Sequence, residues 1–461
     1  ARELQKTGNG PVGLLLVAWG GSRLEAWTSP YALRTQGGMD PALDLLALYA
    51  SNPAAATAGW GEVWQQWWSK REGARQGDTP WQPGADNTAW HTAPAALGAW
   101  ERWGVPDLAA YNGMVWYRTQ VTLTAAQAAQ GARLALGAVD ETDMTWVNGV
   151  AVGSQYGAGE ARRYTLPAGL LNAGENTVVI NVLDTYGEGG LSGPAAAHAV
   201  ELDDGTRIVL DAPWHYRVAP GAQAPPLAPW HAATGLSTLY NGMIAPLGGY
   251  GLRGMLWYQG ESNTGDGAAY ANRLRSLRDD WRSRFGARMP LLVVQLAGYG
   301  QPPQAPVESG WAQVREAQRR VAAEDPHTGL AVAIDIGDAY DIHPPNKQEL
   351  GRRLARMARH VVYGEWALAP SGPTVRTASR AQGEARIAFD NVTGTLVTTG
   401  ADGPIGFELC DADARHCRYA EAVLDGRAVV FDCMDCVEPA SGQHYRSGAL
   451  RVRYCWADGP V

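Results

Sequence analysis

The chain has 461 residues, is 46% hydrophobic and 18% charged, and carries a formal net charge of -8. That length suits about three domains, with apolar content enough for packed cores. An acidic balance without a basic stripe speaks against nucleic acid as a partner, and no apolar run approaches the roughly 18 residues of a membrane span.

Ala1–Lys6 reads as the end of a helix already under way, and the chain stops abruptly at Val461. The expectation is a fragment, so the missing targeting segment carries little meaning. Val12–Ala18 is an apolar run opening into Trp19-Gly20-Gly21-Ser22. The pattern predicts a buried strand leading into a turn where paired glycines let backbone N–H groups approach a ligand. A tight turn needing positive φ explains the same glycines. Residues 40–70 read as helical, with Trp64, Trp67 and Trp68 as packing residues, and 71–90 as a boundary loop.

From about residue 111 the pattern becomes short alternating strands: Tyr117–Leu123, Arg133–Val139, a hairpin Thr145–Val152 around Asn148-Gly149, Arg162–Leu166 and Thr177–Leu183. This spacing predicts a β-sandwich. The composition of 19 Trp against 4 Phe fits sugar-facing rings as well as cores. Trp116, Trp146, Arg163 and Asp184 are candidates for a sugar site, against the plainer reading of core tryptophan and solvated charge.

Pro220–Pro229 returns the chain to α/β pattern. Met255–Tyr258 is a short buried strand, followed at once by Gln259-Gly260-Glu261-Ser262-Asn263. A helix follows, with Tyr270, Leu274, Leu277 and Trp281 on one face. The polar cluster therefore sits at the carboxyl end of a strand, where open α/β sheets bind ligands; a helix-capping turn is the competing account. Leu291–Leu296 and Gly329–Ile336 read as strands and Trp311–Ala323 as a helix. A last helix runs from about Lys347 to Tyr363, capped by Asn346, with Leu350, Leu354, Met357 and Val361 as its apolar face. Residues 370–461 form a smaller β-rich unit with candidate strands Ala385–Asp390, Gly394–Thr398, Gly406–Leu409, Ala428–Cys433 and Leu450–Trp456.

All five cysteines lie in this last part: Cys410, Cys417, Cys433, Cys436 and Cys455. A Cys410–Cys417 bridge is conceivable across a hairpin tip. Cys433-x-x-Cys436 is half a zinc pattern with no second half, so disulfides fit better than metal, and the odd count leaves one thiol free.

His343 follows a predicted strand, with Asp341 two residues before it and Pro344-Pro345 behind. A histidine oriented by a carboxylate is the general base a serine nucleophile needs. Four ordered blocks carry a family resemblance: Pro11–Ser29, Leu256–Asn263, Val314–Gln318 and Asp335–Lys347. With the tail Val452–Asp458, they resemble the sialate O-acetylesterases of the SGNH hydrolase superfamily across nearly the whole chain.

The resemblance implies an α/β fold: an SGNH-type three-layer parallel-sheet domain, interrupted by a jelly-roll β-sandwich insertion and followed by a small C-terminal β domain. The implied divisions are 1–85 and 220–368 for the hydrolase domain, 86–219 for the insertion and 369–461 for the β domain. It implies removal of O-acetyl groups from a sugar through an acyl-serine, without metal or cofactor. The implied partner is an O-acetylated sugar or glycan, and the implied location is periplasmic or secreted. His343 is the implied base, and Asp341 or Glu261 its orienting acid. Gly20 or Gly21 would give a backbone N–H to the oxyanion, and Gln259 or Asn263 a side-chain amide, around the Gly260 turn.

One departure stands out. The family's nucleophilic Ser lies in a Gly-Gln-Ser-Asn-Met block, which residues 1–461 lack; the expectation is that it lies upstream. Two alternatives stay open. Gly260-Glu-Ser262-Asn-Thr264 is one residue from a Gly-x-Ser-x-Gly elbow, making Ser262 a rival nucleophile. The other is a carbohydrate-binding protein with a degenerate esterase domain. An acetylated plant polysaccharide such as xylan competes with sialic acid as substrate.

Overall fold

Short apolar runs with no polar alternation build the sheet of the first α/β element. In the computed structural model, which describes residues 1–8, 10–86, 88–221, 223–381, 383–399, 401–432 and 451–460, Met255–Trp257, Leu291–Val294 and Thr328–Ala331 pair in parallel in that order. Such runs suit a sheet buried on both faces, although Leu256 in the first strand is 55% exposed. Leu292 and Val294 pack against the Lys347–Val361 helix, and Leu291 and Val293, on the opposite face, are equally buried.

The chain divides into two compact units: Ala1–Ala32 with Tyr240–Val461, and Leu33–Leu239. Residues 33–85, which the sequence reading attached to the hydrolase domain, fall within the second unit.

In the first unit the 3.6-residue pattern after the polar turn forms the Gly267–Phe285 helix, burying Tyr270, Leu274, Leu277 and Trp281 as expected. Each side chain so buried contributes about 1.5–3 kcal/mol. Trp281 Nε1 donates to the Trp27 carbonyl at 2.9 Å, and Asp280 accepts from the Ser29 amide at 2.8 Å and hydroxyl at 2.6 Å. These bonds fix the segment after the glycine turn on this helix. The Gly310–Ala323 helix starts at Ser309, whose hydroxyl accepts from the Ala312 amide. Asn346 caps the Lys347–Val361 helix by accepting from the Glu349 amide at 3.2 Å.

Val12–Ala18 departs from expectation. It forms neither helix nor strand, and Leu14 and Leu16 are 68% and 88% exposed. Apolar sequence alone does not make a strand: the backbone needs a ladder partner, and among the described residues none pairs with it. Gly329–Ile336 is also shorter than expected, its strand ending at Ala331 before a turn at Ile334–Ile336.

The C-terminal part holds a four-stranded sheet, Thr374–Ala381, Glu384–Asp390, Ala428–Asp432 and Ala422–Asp425, and a three-stranded one, Cys417–Tyr419, Phe407–Cys410 and Arg451–Tyr454. Gly394–Thr398, expected as a strand, is irregular: with glycine at its start and exposed Val397 (75%), it offers the sheet little apolar surface. Cys410 and Cys417 are disulfide-bonded. Cys455 is buried as a free thiol, and Cys433 and Cys436 lie outside the described residues. Glu408 stands beside the two bridged sulfurs, which as a disulfide present no thiolate to a metal. Arg315, buried in the Gly310–Ala323 helix, donates to the carbonyls of Cys455 (3.0 Å), Ala457 and Asp458 (3.3 Å). Arg315 and the N-cap Ser309, whose hydroxyl donates to Asp458 Oδ1 at 2.5 Å, tie the tail to the helix.

The second unit begins with helices Asp40–Tyr49 and Pro53–Lys70. Its strands form two antiparallel six-stranded sheets that share one core, Val115, Tyr117 and Ile180 from one sheet meeting Leu134, Leu136 and Val200 from the other. The expected hairpin is Thr142–Val147 with Val150–Tyr156, and Asn148 and Gly149 both take positive φ (50° and 83°), as a tight hairpin turn requires. Trp116 and Trp146 are 0% exposed and pack with Trp64, Trp68 and Trp81. They are core, and with Arg163 paired to Glu201 at 2.6 Å the suggested sugar-facing set does not form.

Candidate active site

Two sequence-distant segments of the first unit are locked together at the carboxyl end of the Met255–Trp257 strand. Asn263 sits on the Glu261–Asp266 turn, and Gln259 lies two residues ahead of that turn. Gln259 Nε2 donates to the Ser22 carbonyl at 2.9 Å and to Asn263 Oδ1 at 2.7 Å, which uses both of its hydrogens. Asn263 Oδ1 also accepts from the Leu24 amide at 2.9 Å, and Asn263 Nδ2 donates to Glu25 Oε2 at 3.0 Å. Asn263 is 0% and Gln259 7% exposed. The two amides thus hold the segment that follows Gly20 and Gly21, and Asn263 keeps one N–H beyond these bonds. The glycines themselves are exposed, and Gly21 has a φ of 65°.

Around this pair lies a buried polar network that sequence reasoning did not assign to the site. Glu25, 4% exposed, faces Arg23 at 3.3 Å and Arg273 at 3.2 Å. Tyr270 donates from its hydroxyl to Gln259 Oε1 at 3.0 Å, and Gln318 Nε2 donates to the Gln259 carbonyl at 3.1 Å. Glu25 and Gln318 fall inside the blocks that carry the family resemblance, a signal that pointed to them; Arg273 has none. Gly260 is confined by packing: a Cβ there would lie 2.8 Å from Val314 and 3.2 Å from Leu296, and its φ is 155°.

The second cluster surrounds His343. Its Nδ1 lies 3.0 Å from Asp341 Oδ1, and the same oxygen accepts from the His343 amide at 2.8 Å. The His343 side chain is 85% exposed. The hydrogen bonds from His343, first from its amide, hold the Asp341 carboxyl below the usual range. Glu261 is held above its usual range, chiefly by burial, although backbone hydrogen bonds and the charges of Lys347 and His343 pull the other way. Lys347 Nζ stands 5.2 Å from the centre of the Tyr258 ring. Burial, then Glu261, pushes the Tyr258 hydroxyl up to about 12. His343, Asp341, Glu261, Lys347 and Tyr258 therefore form one neighbourhood.

Asp341 is the acid hydrogen-bonded to His343; Glu261 acts on it only through its charge. Ser262 is exposed on the turn, and among the described residues no hydrogen bond joins it to His343. The described residues contain no other group of three potential ligands as close as that at Glu408, and no described helix is long and apolar enough to cross a membrane.

A parallel sheet with a polar turn and a histidine–carboxylate pair at its carboxyl end describes a hydrolase-like α/β element. Residues 221–360 match the model of the carbohydrate esterases described as sialic acid-specific acetylesterases. Residues 85–188 match the second all-β domain of β-galactosidases. The chain is 29% identical to the mouse sialate O-acetylesterase over 245 residues, covering 49% of this chain and 43% of that protein. It is 34% identical to the human sialate O-acetylesterase over 166 residues, 32% of this chain and 31% of that protein. The chain thus spans less than half the length of these curated relatives. A carbohydrate acetylesterase from Xanthomonas citri aligns over 72% of this chain and 91% of its own, with 24% identity and a TM-score of 0.42.

Proposed function

We propose that the chain belongs to a carbohydrate O-acetylesterase acting on sialic acid esters, with His343 as general base and Asp341 as its orienting carboxylate. The observation that carries this reading is the 3.0 Å contact between His343 Nδ1 and Asp341 Oδ1, made by a ring that is 85% exposed. An imidazole held by one nitrogen leaves the other free for a proton.

In this reading a serine hydroxyl from a Gly-Gln-Ser-Asn-Met block outside residues 1–461 gives its proton to His343 Nε2 as its oxygen attacks the acetyl carbonyl. The bond between the acetyl carbonyl carbon and the sugar oxygen breaks, and the imidazolium protonates that departing oxygen to give the sugar hydroxyl. Water, deprotonated by the same histidine, then releases acetate and restores the serine. Gly20 or Gly21 gives a backbone N–H to the oxyanion, and the remaining N–H of Asn263 is the side-chain candidate. Gln259 holds the donor loop through Ser22. Residues 1–85 and 220–368 are read as an SGNH-type three-layer domain, 86–219 as a jelly-roll insertion and 369–461 as a small C-terminal β domain. Export to the periplasm or beyond fits a chain with the Cys410–Cys417 bridge.

The test is acetate release from O-acetylated sialic acid and from acetylated xylan by the protein carrying the Gly-Gln-Ser-Asn-Met block, with His343→Ala beside it. Release from the sialic acid ester that disappears in the variant supports the reading. No release from either substrate, or release unchanged by His343→Ala, overturns it.

A further inference from the structure

One edge of a sheet in the second unit opens into a cleft. The outer strand His91–Thr92 pairs with His215–Val218, and the register sets His91 opposite Tyr216. Residues directly opposed on an antiparallel pair share a face. The two rings therefore meet, with 5.4 Å between their centres. Trp103 backs the Tyr216 ring edge-on at 5.0 Å. Both His91 and Tyr216 line the cleft, whose volume is about 480 Å³, within the range of pockets that take small ligands. Val105 and Pro220 add apolar wall.

The frame of the cleft is held from behind. Arg217 donates to Asp78 through both arms of its guanidinium, at 2.8 Å and 2.5 Å, so its charge is answered. The Asp78 amide in turn donates to the Arg75 carbonyl at 3.2 Å, which ties the backbone carrying Arg75 to that clamp. Asp107 sits on the Pro106–Leu108 turn. Leu108, 0% exposed, anchors this turn in the core, and its amide donates to the Val105 carbonyl at 3.0 Å.

Four polar side chains on the lining stay unspent. Among the described residues, the Arg75 guanidinium, the His91 ring, the Asp107 carboxylate and the Tyr216 hydroxyl make no hydrogen bond or ion pair. Burial, then the charge of Asp107, raises the Tyr216 hydroxyl. The free charges are one of each sign, which gives a charged ligand no advantage. What satisfies such a set is a group that donates to a carboxylate and accepts from a guanidinium, and a hydroxyl does both. A ligand with several hydroxyls and an apolar face to set against aromatic rings is a sugar.

We propose that this cleft binds a neutral sugar ring, with Asp107 and Arg75 taking its hydroxyls and the paired His91 and Tyr216 rings facing its C–H surface. Because the supporting turns are already fixed by the Arg217–Asp78 clamp and by Leu108, little ordering is left to the moment of binding. None of the residues assigned to ester hydrolysis lines the cleft, so its ligand does not depend on the esterase reading.

The experiment uses residues 1–461. Binding of D-galactose, D-mannose and D-xylose, with free sialic acid as the charged comparison, is followed by saturation-transfer NMR and calorimetric titration. The parent chain is set beside Asp107→Ala and Arg75→Ala. The expected result is a Kd of about 0.1–10 mM for at least one neutral sugar. Each substitution should weaken that binding about fivefold to thirtyfold, and neither should weaken any binding of sialic acid. Both positions are exposed, and if one variant does not fold the other decides. The proposal is overturned if no neutral sugar binds, if a folded variant binds the sugar as the parent does, or if the substitutions weaken sialic acid more than every neutral sugar.

Discussion

One oxygen of Asp341 takes two hydrogen bonds from His343, at 2.8 Å from the backbone amide and 3.0 Å from Nδ1. The amide bond fixes the carboxylate on its own loop, so the carboxylate in turn fixes the ring. Replacement by asparagine keeps the shape and removes the charge that sets the tautomer. Asp341→Asn should lower kcat about 10²–10⁴-fold in the enzyme with its nucleophile in place. Glu261→Gln should cost less than about tenfold, since Glu261 reaches His343 only through its field. Steady-state kinetics of the two variants decides which acid orients the base.

Asn263→Ala removes the acceptor of the Leu24 amide and of Gln259, and the donor to Glu25. These groups are buried, and each one left unsatisfied costs about 1–3 kcal/mol. The first unit should lose about 2–4 kcal/mol, read from a lowered denaturant midpoint.

In the second unit His231 is 4% exposed, with Nδ1 unpartnered and Nε2 3.4 Å from the Ser154 hydroxyl. Burial, with Arg162 adding to it, lowers its pKa to about 4. Between its unfolded value near 6.5 and about 4, the unfolded chain binds the proton and the folded chain does not. Stability therefore falls as pH drops through that window, by about 3 kcal/mol at most. His231→Gln should flatten this part of the stability–pH curve, and an unchanged slope would assign the dependence elsewhere.

Asp143 and Arg162 form a fully buried pair at 2.9 Å, and Asp143 also accepts from the Tyr164 hydroxyl at 2.7 Å and the Thr145 hydroxyl at 2.7 Å. Arg162→Ala leaves that carboxylate buried without its cation, at a cost of about 3–5 kcal/mol. Thermal unfolding should show the loss.

Much of this was legible in the chain. The helix at Tyr270, Leu274, Leu277 and Trp281 and the Asn148-Gly149 hairpin are local patterns, and local patterns survive folding. Val12–Ala18 reads like its neighbours but has no ladder partner, and pairing is a non-local property that composition does not encode. Cross-strand convergence hid the cleft at His91 and Tyr216 in the same way: the two are far apart along the chain and become neighbours only through register. In the candidate site, His343 with Asp341 and Gln259 with Asn263 were visible because each pair lies within one turn of chain. The tie from Asn263 to Leu24, 239 residues away, was not.

Hydrolysis of p-nitrophenyl acetate tests the central claim most directly. It would be measured for residues 1–461, for Ser262→Ala and His343→Ala, and for the protein carrying the Gly-Gln-Ser-Asn-Met block. The account predicts background rates for residues 1–461. It predicts clear activity once the block is present, abolished by His343→Ala and kept by Ser262→Ala. Activity in residues 1–461 that vanishes with Ser262→Ala would contradict it and place the nucleophile on the turn at Ser262.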